Sequence, residues 1–133
     1  MSRLPRRAVS LLSVLGLTMV TVTVTGPAQA AASSSAIVYT NGTRAAEAWF
    51  NRSNGTHANK AWFDVYDAKC DANDVYVEYA INGDPDSDEG RNSGGCGTTR
   101  GINLRTGQFA ISYRVCVDDA GYNTCSPWKG DNN

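Results

Sequence analysis

The sequence predicts an all-β protein: a small antiparallel β-sandwich, or a partly open barrel, of about six to seven strands with two disulfides. Three observations predict it. Short segments of alternating apolar and polar residues recur along the chain, turn-forming Asn, Asp and Gly residues separate them, and a helical period of 3.6 residues is almost absent. The chain shows neither an internal repeat nor βαβ alternation, which leaves antiparallel β architectures.

The first 30 residues have the pattern of a secretory signal peptide. Three arginines within the first seven residues precede an uncharged stretch over 8–25, and Ala28-Gln29-Ala30 provides a small-x-small cleavage site. A membrane anchor is the alternative, but threonines interrupt the apolar core, which falls short of the roughly 20 residues that a span needs. We therefore expect a secreted, extracellular protein with no membrane span once the signal is removed.

The mature chain is long enough for one domain. Residues 31–36 are small and polar and predict a flexible tail, and 37–133 form a single β-domain. The signal peptide holds three of the twelve Lys and Arg and none of the thirteen Asp and Glu, so nine basic and thirteen acidic residues remain, a formal net charge of −4. Because nucleic-acid binding normally depends on a basic patch, this charge argues against a nucleic-acid partner.

The first half of the domain begins with a hairpin signal. A strand over 37–40 runs into Asn41-Gly42, which favours a two-residue hairpin turn. Residues 43–50 follow as a second strand, although the alanine-rich run over 44–48 is also compatible with a helical turn. The composition of 51–59 is typical of a loop.

The second half contains the clearest strand periodicity. One alternating strand covers 61–66, and after a turn at 71–74 the next carries apolar residues on one face through Ile81. A long polar loop over 82–97, a short strand around Ile102 and a tight turn precede the cleanest inward row, and the turn-rich segment 118–133 ends the chain. The inward row consists of Phe109, Ile111, Tyr113, Val115 and Val117.

Four cysteines lie in the mature chain: Cys70, Cys96, Cys116 and Cys125. An even number in a short exported chain predicts two disulfides. A metal site is the alternative, but no Cys-x-x-Cys is present and the lone histidine is distant in sequence. Three pairings are possible; we favour Cys70–Cys96 with Cys116–Cys125, because each closes a loop interrupted by turn-rich sequence.

Two segments resemble small exported proteins of actinobacteria, a loose and mostly uncharacterised set of disulfide-containing β-domains. The first is Val65-Tyr66-Asp67-Ala68-Lys69-Cys70-Asp71, followed by the strand that contains Tyr76. The second runs from Val115 to Asp119 and on to Thr124-Cys125-Ser126-Pro127-Trp128. The resemblance implies a compact β-sandwich and the Cys116–Cys125 pairing, and it transfers no catalytic residue.

No group of residues in the sequence forms a recognisable catalytic motif. His57 is the only histidine and lies in a Gly- and Asn-rich loop, and no Gly-x-Ser-x-Gly elbow is present. Four carboxylates, those of Glu47, Asp64, Asp67 and Glu78, are candidates for a glycosidase pair only if two of them converge in a cleft. The sequence leaves enzymatic activity open, favours a non-catalytic role and assigns no catalytic residue.

An acidic segment raises the possibility of calcium binding. Asp84, Asp86 and Asp88 alternate ahead of Gly90, but the EF-hand positions that require Gly and a bidentate Glu hold Glu89 and Gly95. The competing interpretation is a solvated acidic loop. We therefore assign no metal ligand, and no cofactor motif is present.

Aromatic residues are the best binding candidates. Trp62 and Tyr66 are four apart on one strand and so share a face, and Tyr76 points outward on the next. Such rings can stack on sugars or contact a protein, so an extracellular glycan or protein is the expected partner; the competing interpretation is that they fill a secondary core. The alternatives are an inhibitor of a secreted hydrolase acting through the loop 82–97, which Cys96 anchors, and a small hydrolase.

Overall fold

A computed structural model describes residues 34–133, so the predicted signal peptide over 1–30 and the start of the predicted tail lie outside the described residues. The strands are β1 (Ser34–Thr40), β2 (Thr43–Asn51), β3 (Trp62–Asp67), β4 (Val75–Ile81), β5 (Asp88–Asn92), β6 (Thr99–Asn103), β7 (Ala110–Val117), β8 (Thr124–Cys125) and β9 (Lys129–Asn132). They form two antiparallel sheets, which confirms the predicted sandwich. No helix within this part of the chain is long and apolar enough to cross a membrane.

Sheet A has the strand order β1-β2-β3-β6, and sheet B has the order β5-β4-β7-β8, with β9 also paired to β7. Every pairing between neighbouring strands is antiparallel. The described residues form nine strands rather than six or seven, because β5 and the short C-terminal strands β8 and β9 add to the periodic ones.

The β1–β2 hairpin is present as predicted, but β1 is longer than expected. Asn41 and Gly42 take left-handed backbone angles, with φ of 52° and 75°, as the two-residue turn requires. β1 begins at Ser34, inside the segment predicted as a tail, because Ser34–Ala36 pair with the last residues of β2. These small side chains carry no hydrophobic signal, so only the backbone ladder reveals the strand.

The alanine-rich run over 44–48 forms strand and not a helical turn. Ala46, Ala48 and Phe50 point into the sandwich and are completely buried. The weak helical preference of alanine is overridden by pairing with β1 on one side and β3 on the other.

The segment 82–97 is not a long loop, because its middle forms β5, which pairs with β4 from Val75 to Tyr79. Its two inward positions are Gly90 and Asn92, so the strand has no apolar pattern. The middle of the segment that the sequence suggests as an inhibitory loop is therefore an edge strand of sheet B.

The inward rows of the two sheets meet in one hydrophobic core. The predicted inward row, which begins at Phe109 just before β7 and continues along β7 to Val117, is buried throughout, as are Phe63 and Val65 on β3. At the centre, the ring centroid of Phe63 lies 5.0 Å from that of Tyr113 and 5.5 Å from that of Phe50. The largest side chains of the two sheets thus interdigitate across the sandwich.

Both disulfides have the favoured pairing, Cys70–Cys96 and Cys116–Cys125. Cys70 lies on the connection from β3 to β4, and Cys96 lies on the connection from β5 to β6. Both connections cross between the sheets, so this bridge ties two crossovers together. The second bridge joins directly opposite residues of β7 and β8 within sheet B.

Candidate functional site

Strand β3 places alternate side chains on the two sides of sheet A. Ala61, Phe63 and Val65 are buried against sheet B, whereas Trp62, Asp64 and Tyr66 are half-buried on the other side. We call that solvent side the outer face of sheet A. The predicted positions of Trp62 and Tyr66 on one face are confirmed by the alternating burial along β3.

The neighbouring strand β2 contributes a second row to this outer face. In the β2–β3 register, Glu47, Trp49 and Asn51 lie opposite Tyr66, Asp64 and Trp62 respectively. The sequence gives their alternation but not their position, because strand order determines which residues become neighbours. Strands that follow each other in the chain are usually neighbours in a sheet. Applying this rule to β2 and β3 is the one way in which the sequence could have placed Trp49 in the site.

Asp64 is the polar centre of the outer face. Its Oδ2 accepts a hydrogen bond from the Asn51 Nδ2 at 2.9 Å and another from the Trp62 Nε1 at 3.1 Å. These two bonds fix the orientation of the indole and of the amide. No Lys, Arg or His side chain among the described residues forms an ion pair with Asp64.

Two aromatic rings and a cation lie at one end of the face. The centroids of Trp49 and Tyr66 are 6.3 Å apart, and the guanidinium carbon of Arg44 lies 5.8 Å from the first ring and 5.4 Å from the second. Arg44 also pairs with Glu47, which is only 6% exposed. The cation–π contacts hold both rings in place and leave them half-buried.

A strained loop covers the other end of the face. The His57 imidazole stacks on the Trp62 indole with 4.1 Å between centroids and 14° between planes, and its Nδ1 lies 3.2 Å from the Asn103 Oδ1. Three consecutive residues, His57, Ala58 and Asn59, have φ of 49°, 53° and 59°. Left-handed angles cost non-glycine residues about 1–2 kcal/mol each, and such strain is concentrated at functional sites.

Tyr76 is separate from the other two predicted binding residues. It lies on β4 in sheet B and points away from the core, so the thickness of the sandwich separates it from Trp62 and Tyr66. The ring is only 7% exposed: Arg91 lies 5.0 Å from its centroid, and the Asn123 Nδ2 donates to its hydroxyl at 2.8 Å. The alternation along β4 predicts an outward direction but not the sheet to which the strand belongs.

The most exposed aromatic residues lie elsewhere. Tyr39, Tyr122 and Trp128 are 56%, 99% and 47% exposed, and the guanidinium of Arg114 lies 4.8 Å from the Trp128 ring centroid. They stand on separate segments, whereas the three rings on the outer face of sheet A lie on the adjacent strands β2 and β3, on either side of Asp64 and Asn51. This grouping of rings with fixed polar groups distinguishes that face from isolated exposed rings.

The carboxylates considered for metal binding form no metal-binding cluster among the described residues, and those considered for hydrolysis are divided among three environments. Residues 34–133 contain no group of three or more His, Cys, Asp or Glu side chains placed to hold a metal ion. Of the four candidates for a glycosidase pair, Glu47 and Asp64 lie on the outer face of sheet A, Asp67 is buried, and Glu78 is paired with Arg114 on sheet B.

Comparison with known proteins adds no relative to these observations. No family model, curated protein or solved structure matches this chain.

Proposed function

We propose that this protein is secreted and binds an extracellular carbohydrate, without transforming it, through the outer face of sheet A. The observation that carries the proposal is the arrangement of three half-buried rings, Trp49, Trp62 and Tyr66, around the Asp64 carboxylate. Sugar rings present apolar C–H faces and polar hydroxyl edges, so they suit a surface on which flat rings alternate with hydrogen-bonding groups.

The polar groups of this face support a carbohydrate more than a protein partner. Asn51, Asp64 and Asn103 supply fixed amide and carboxylate oxygens next to the indole of Trp62. The rings are held by internal contacts before any ligand arrives, which lowers the ordering entropy that binding must overcome. Secretion is supported by the signal-peptide pattern of the sequence and by two disulfides, which persist in oxidising compartments.

The test is a glycan array of neutral and acidic oligosaccharides, followed by titration calorimetry of the glycans that bind. We expect Trp62→Ala to lose about 2 kcal/mol of binding free energy, roughly thirtyfold in Kd, because it removes a ring and one donor to Asp64. Trp128→Ala is the matched control, since it removes an equally large ring from the opposite side of the sandwich.

Two outcomes contradict the proposal. One is the absence of binding to every glycan on the array. The other is a Trp62→Ala variant that binds as well as the unmodified protein while circular dichroism shows the same fold. A Trp62→Phe variant separates stacking from hydrogen bonding, because phenylalanine retains a ring against His57 and removes the Nε1 donor.

A further inference from the structure

A glycine lies at the edge of the outer face, directly beside its polar centre. Gly101 on β6 pairs with Asp64 on β3, and β6 is the last strand of sheet A in the described residues. Its neighbours on the same side of β6 are Thr99 and Asn103, which pair with Tyr66 and Trp62. The missing side chain therefore leaves a gap among residues that all point to the outer face.

The backbone does not require glycine at this position. The φ of Gly101 lies outside the left-handed region. A Cβ built there would meet only the Asp64 Oδ1, at 3.8 Å, which is an ordinary contact distance. Glycine within a strand is destabilising by roughly 0.5–1 kcal/mol, and no aromatic ring comes within 4 Å to cover the gap. Gly101 therefore leaves open space beside Asp64. A glycine within a strand often marks a site where a ligand approaches the backbone closely.

The walls of this gap are chemically suited to a sugar. Trp62 and Tyr66 stand two residues before and after Asp64, about 13 Å from each other along the strand. The Asp64 Oδ2 already accepts two hydrogen bonds, whereas its Oδ1 faces Gly101 and accepts none from the described residues. An open carboxylate oxygen between two rings accepts hydroxyl protons and repels other anions.

We propose that this gap, the Gly101 notch, holds one neutral sugar residue whose hydroxyl groups donate to the Asp64 Oδ1. The inference depends on the proposed carbohydrate binding and adds two statements to it. The bound glycan crosses the β6 edge at Gly101, and the site selects uncharged glycans over those built from uronic acids.

The test uses the full purified protein and a set of linear hexasaccharides. The neutral probes are β-1,4-linked oligomers of glucose, xylose, mannose and N-acetylglucosamine, and the anionic probe is an oligomer of galacturonic acid. Gly101→Thr fills the notch with a side chain that strands favour. Gly130→Thr is the matched control, because Gly130 is also an exposed glycine in an edge strand, its φ is not left-handed, and a Cβ there meets nothing closer than 4.0 Å.

We expect Gly101→Thr to weaken binding of the neutral probe by about tenfold or more, and Gly130→Thr to leave it within about twofold. Asp64→Asn is expected to narrow the preference for neutral over galacturonate oligomers, because it removes the charge that repels the anion. Thermal denaturation of each variant is the control that tests whether it remains folded.

The possible failures are distinguishable. If neither a hexasaccharide nor any glycan on the array binds the unmodified protein, the proposed function itself is wrong. A second outcome is that a neutral probe binds, Trp62→Ala abolishes binding, and a folded Gly101→Thr variant binds as tightly as the unmodified protein. The outer face then binds carbohydrate, but the proposed sugar position in the Gly101 notch is wrong. Equal or tighter binding of galacturonate, or capture of a lysine-rich peptide in competition with the sugar, overturns the assignment of a neutral ligand.

Discussion

Two carboxyl groups of single residues lie in environments that shift their pKa values in opposite directions. Burial alone would raise the pKa of Asp131, but hydrogen bonds from Ser34 and Arg52 outweigh it and lower the pKa below its ordinary value of 3.8. Asp67 is 2% exposed, and its burial raises the pKa despite a hydrogen bond from the Lys69 N–H. Asp131 ties β9 to sheet A, whereas Asp67 caps the turn after β3.

We predict that Asp131→Asn lowers the free energy of unfolding by about 2 kcal/mol at neutral pH, the scale of a charged hydrogen bond. Because the folded pKa is depressed, the stabilisation is complete well above pH 3.8 and is lost as the pH falls through 3.8 towards the folded value. Urea denaturation at a series of pH values should therefore show the stability difference shrinking on acidification. A difference that does not change with pH would mean that the charge contributes nothing.

For Asp67→Asn we expect the opposite pH dependence of stability. The folded pKa is raised, so the ionised carboxyl is destabilising, and the unmodified protein loses stability as the pH rises from below 3.8 through the folded value. The amide of asparagine retains an oxygen for the Lys69 N–H and does not ionise. Relative to the unmodified protein, this variant should therefore gain stability as the pH rises over that range.

Among the strands, those with a regular apolar period could be predicted and those without one could not. On strands β3, β4 and β7, every second residue belongs to the hydrophobic core or packs against it, and these apolar periods identify the strands from the sequence. β5 has the sequence Asp-Glu-Gly-Arg-Asn, and its two inward residues, Gly90 and Asn92, are not apolar side chains that fill the core. Gly90 leaves room for Ile102, and Asn92 donates to the Val65 carbonyl at 3.0 Å, so neither carries a hydrophobic signal.

We predict that Gly90→Ala destabilises the protein by about 1–3 kcal/mol, the usual cost of overpacking a filled core. A Cβ at this position would lie 2.8 Å and 2.9 Å from the two Cγ atoms of Ile102, which are close to the backbone and have little freedom to move. Chemical denaturation measures the effect. The control is Gly130→Ala, where the nearest atom lies 4.0 Å away and a change below about 0.5 kcal/mol is expected.

A double-mutant cycle with Ile102→Ala identifies the cause of that loss. If the clash with Ile102 is responsible, the double variant should be more stable than the sum of the single changes predicts, by about 1 kcal/mol. Strict additivity would place the strain elsewhere, in the β4–β5 ladder itself.

In the whole molecule, the order of the strands decides which predicted residues become neighbours. The period along β3 places Trp62 and Tyr66 on one face, but only the order β2-β3-β6 brings Trp49 and Gly101 to either side of Asp64. The same topology sends Tyr76 to the other sheet. Alternation follows from local chemistry, whereas pairing between strands depends on the whole fold, so the rings are predictable from the sequence and the site that they form is not.

The two disulfides should contribute unequally to the stability of the sandwich. Cys70–Cys96 closes a loop of 26 residues and Cys116–Cys125 a loop of 9, for which chain entropy gives about 3.5 and about 2.7 kcal/mol respectively. The first also joins the two connections that cross between the sheets, whereas the β7–β8 backbone ladder continues to support the second. We therefore predict that replacing Cys70 and Cys96 together by serine lowers the free energy of unfolding more than replacing Cys116 and Cys125 does.

Urea denaturation of both double variants measures this difference, and peptide mapping of the unreduced protein verifies the pairing first. Small domains have net stabilities of only about 5–15 kcal/mol, so loss of the first bridge should leave a substantial fraction of a weakly stable protein unfolded. Loop entropy alone would make the loss larger for the Cys70–Cys96 pair by less than about 1 kcal/mol, so a clearly larger difference would show that fastening the crossovers adds to the effect. Equal losses for the two variants would contradict the prediction. A larger loss for the Cys116–Cys125 pair would instead make the β7–β8 edge the weakest part of the fold.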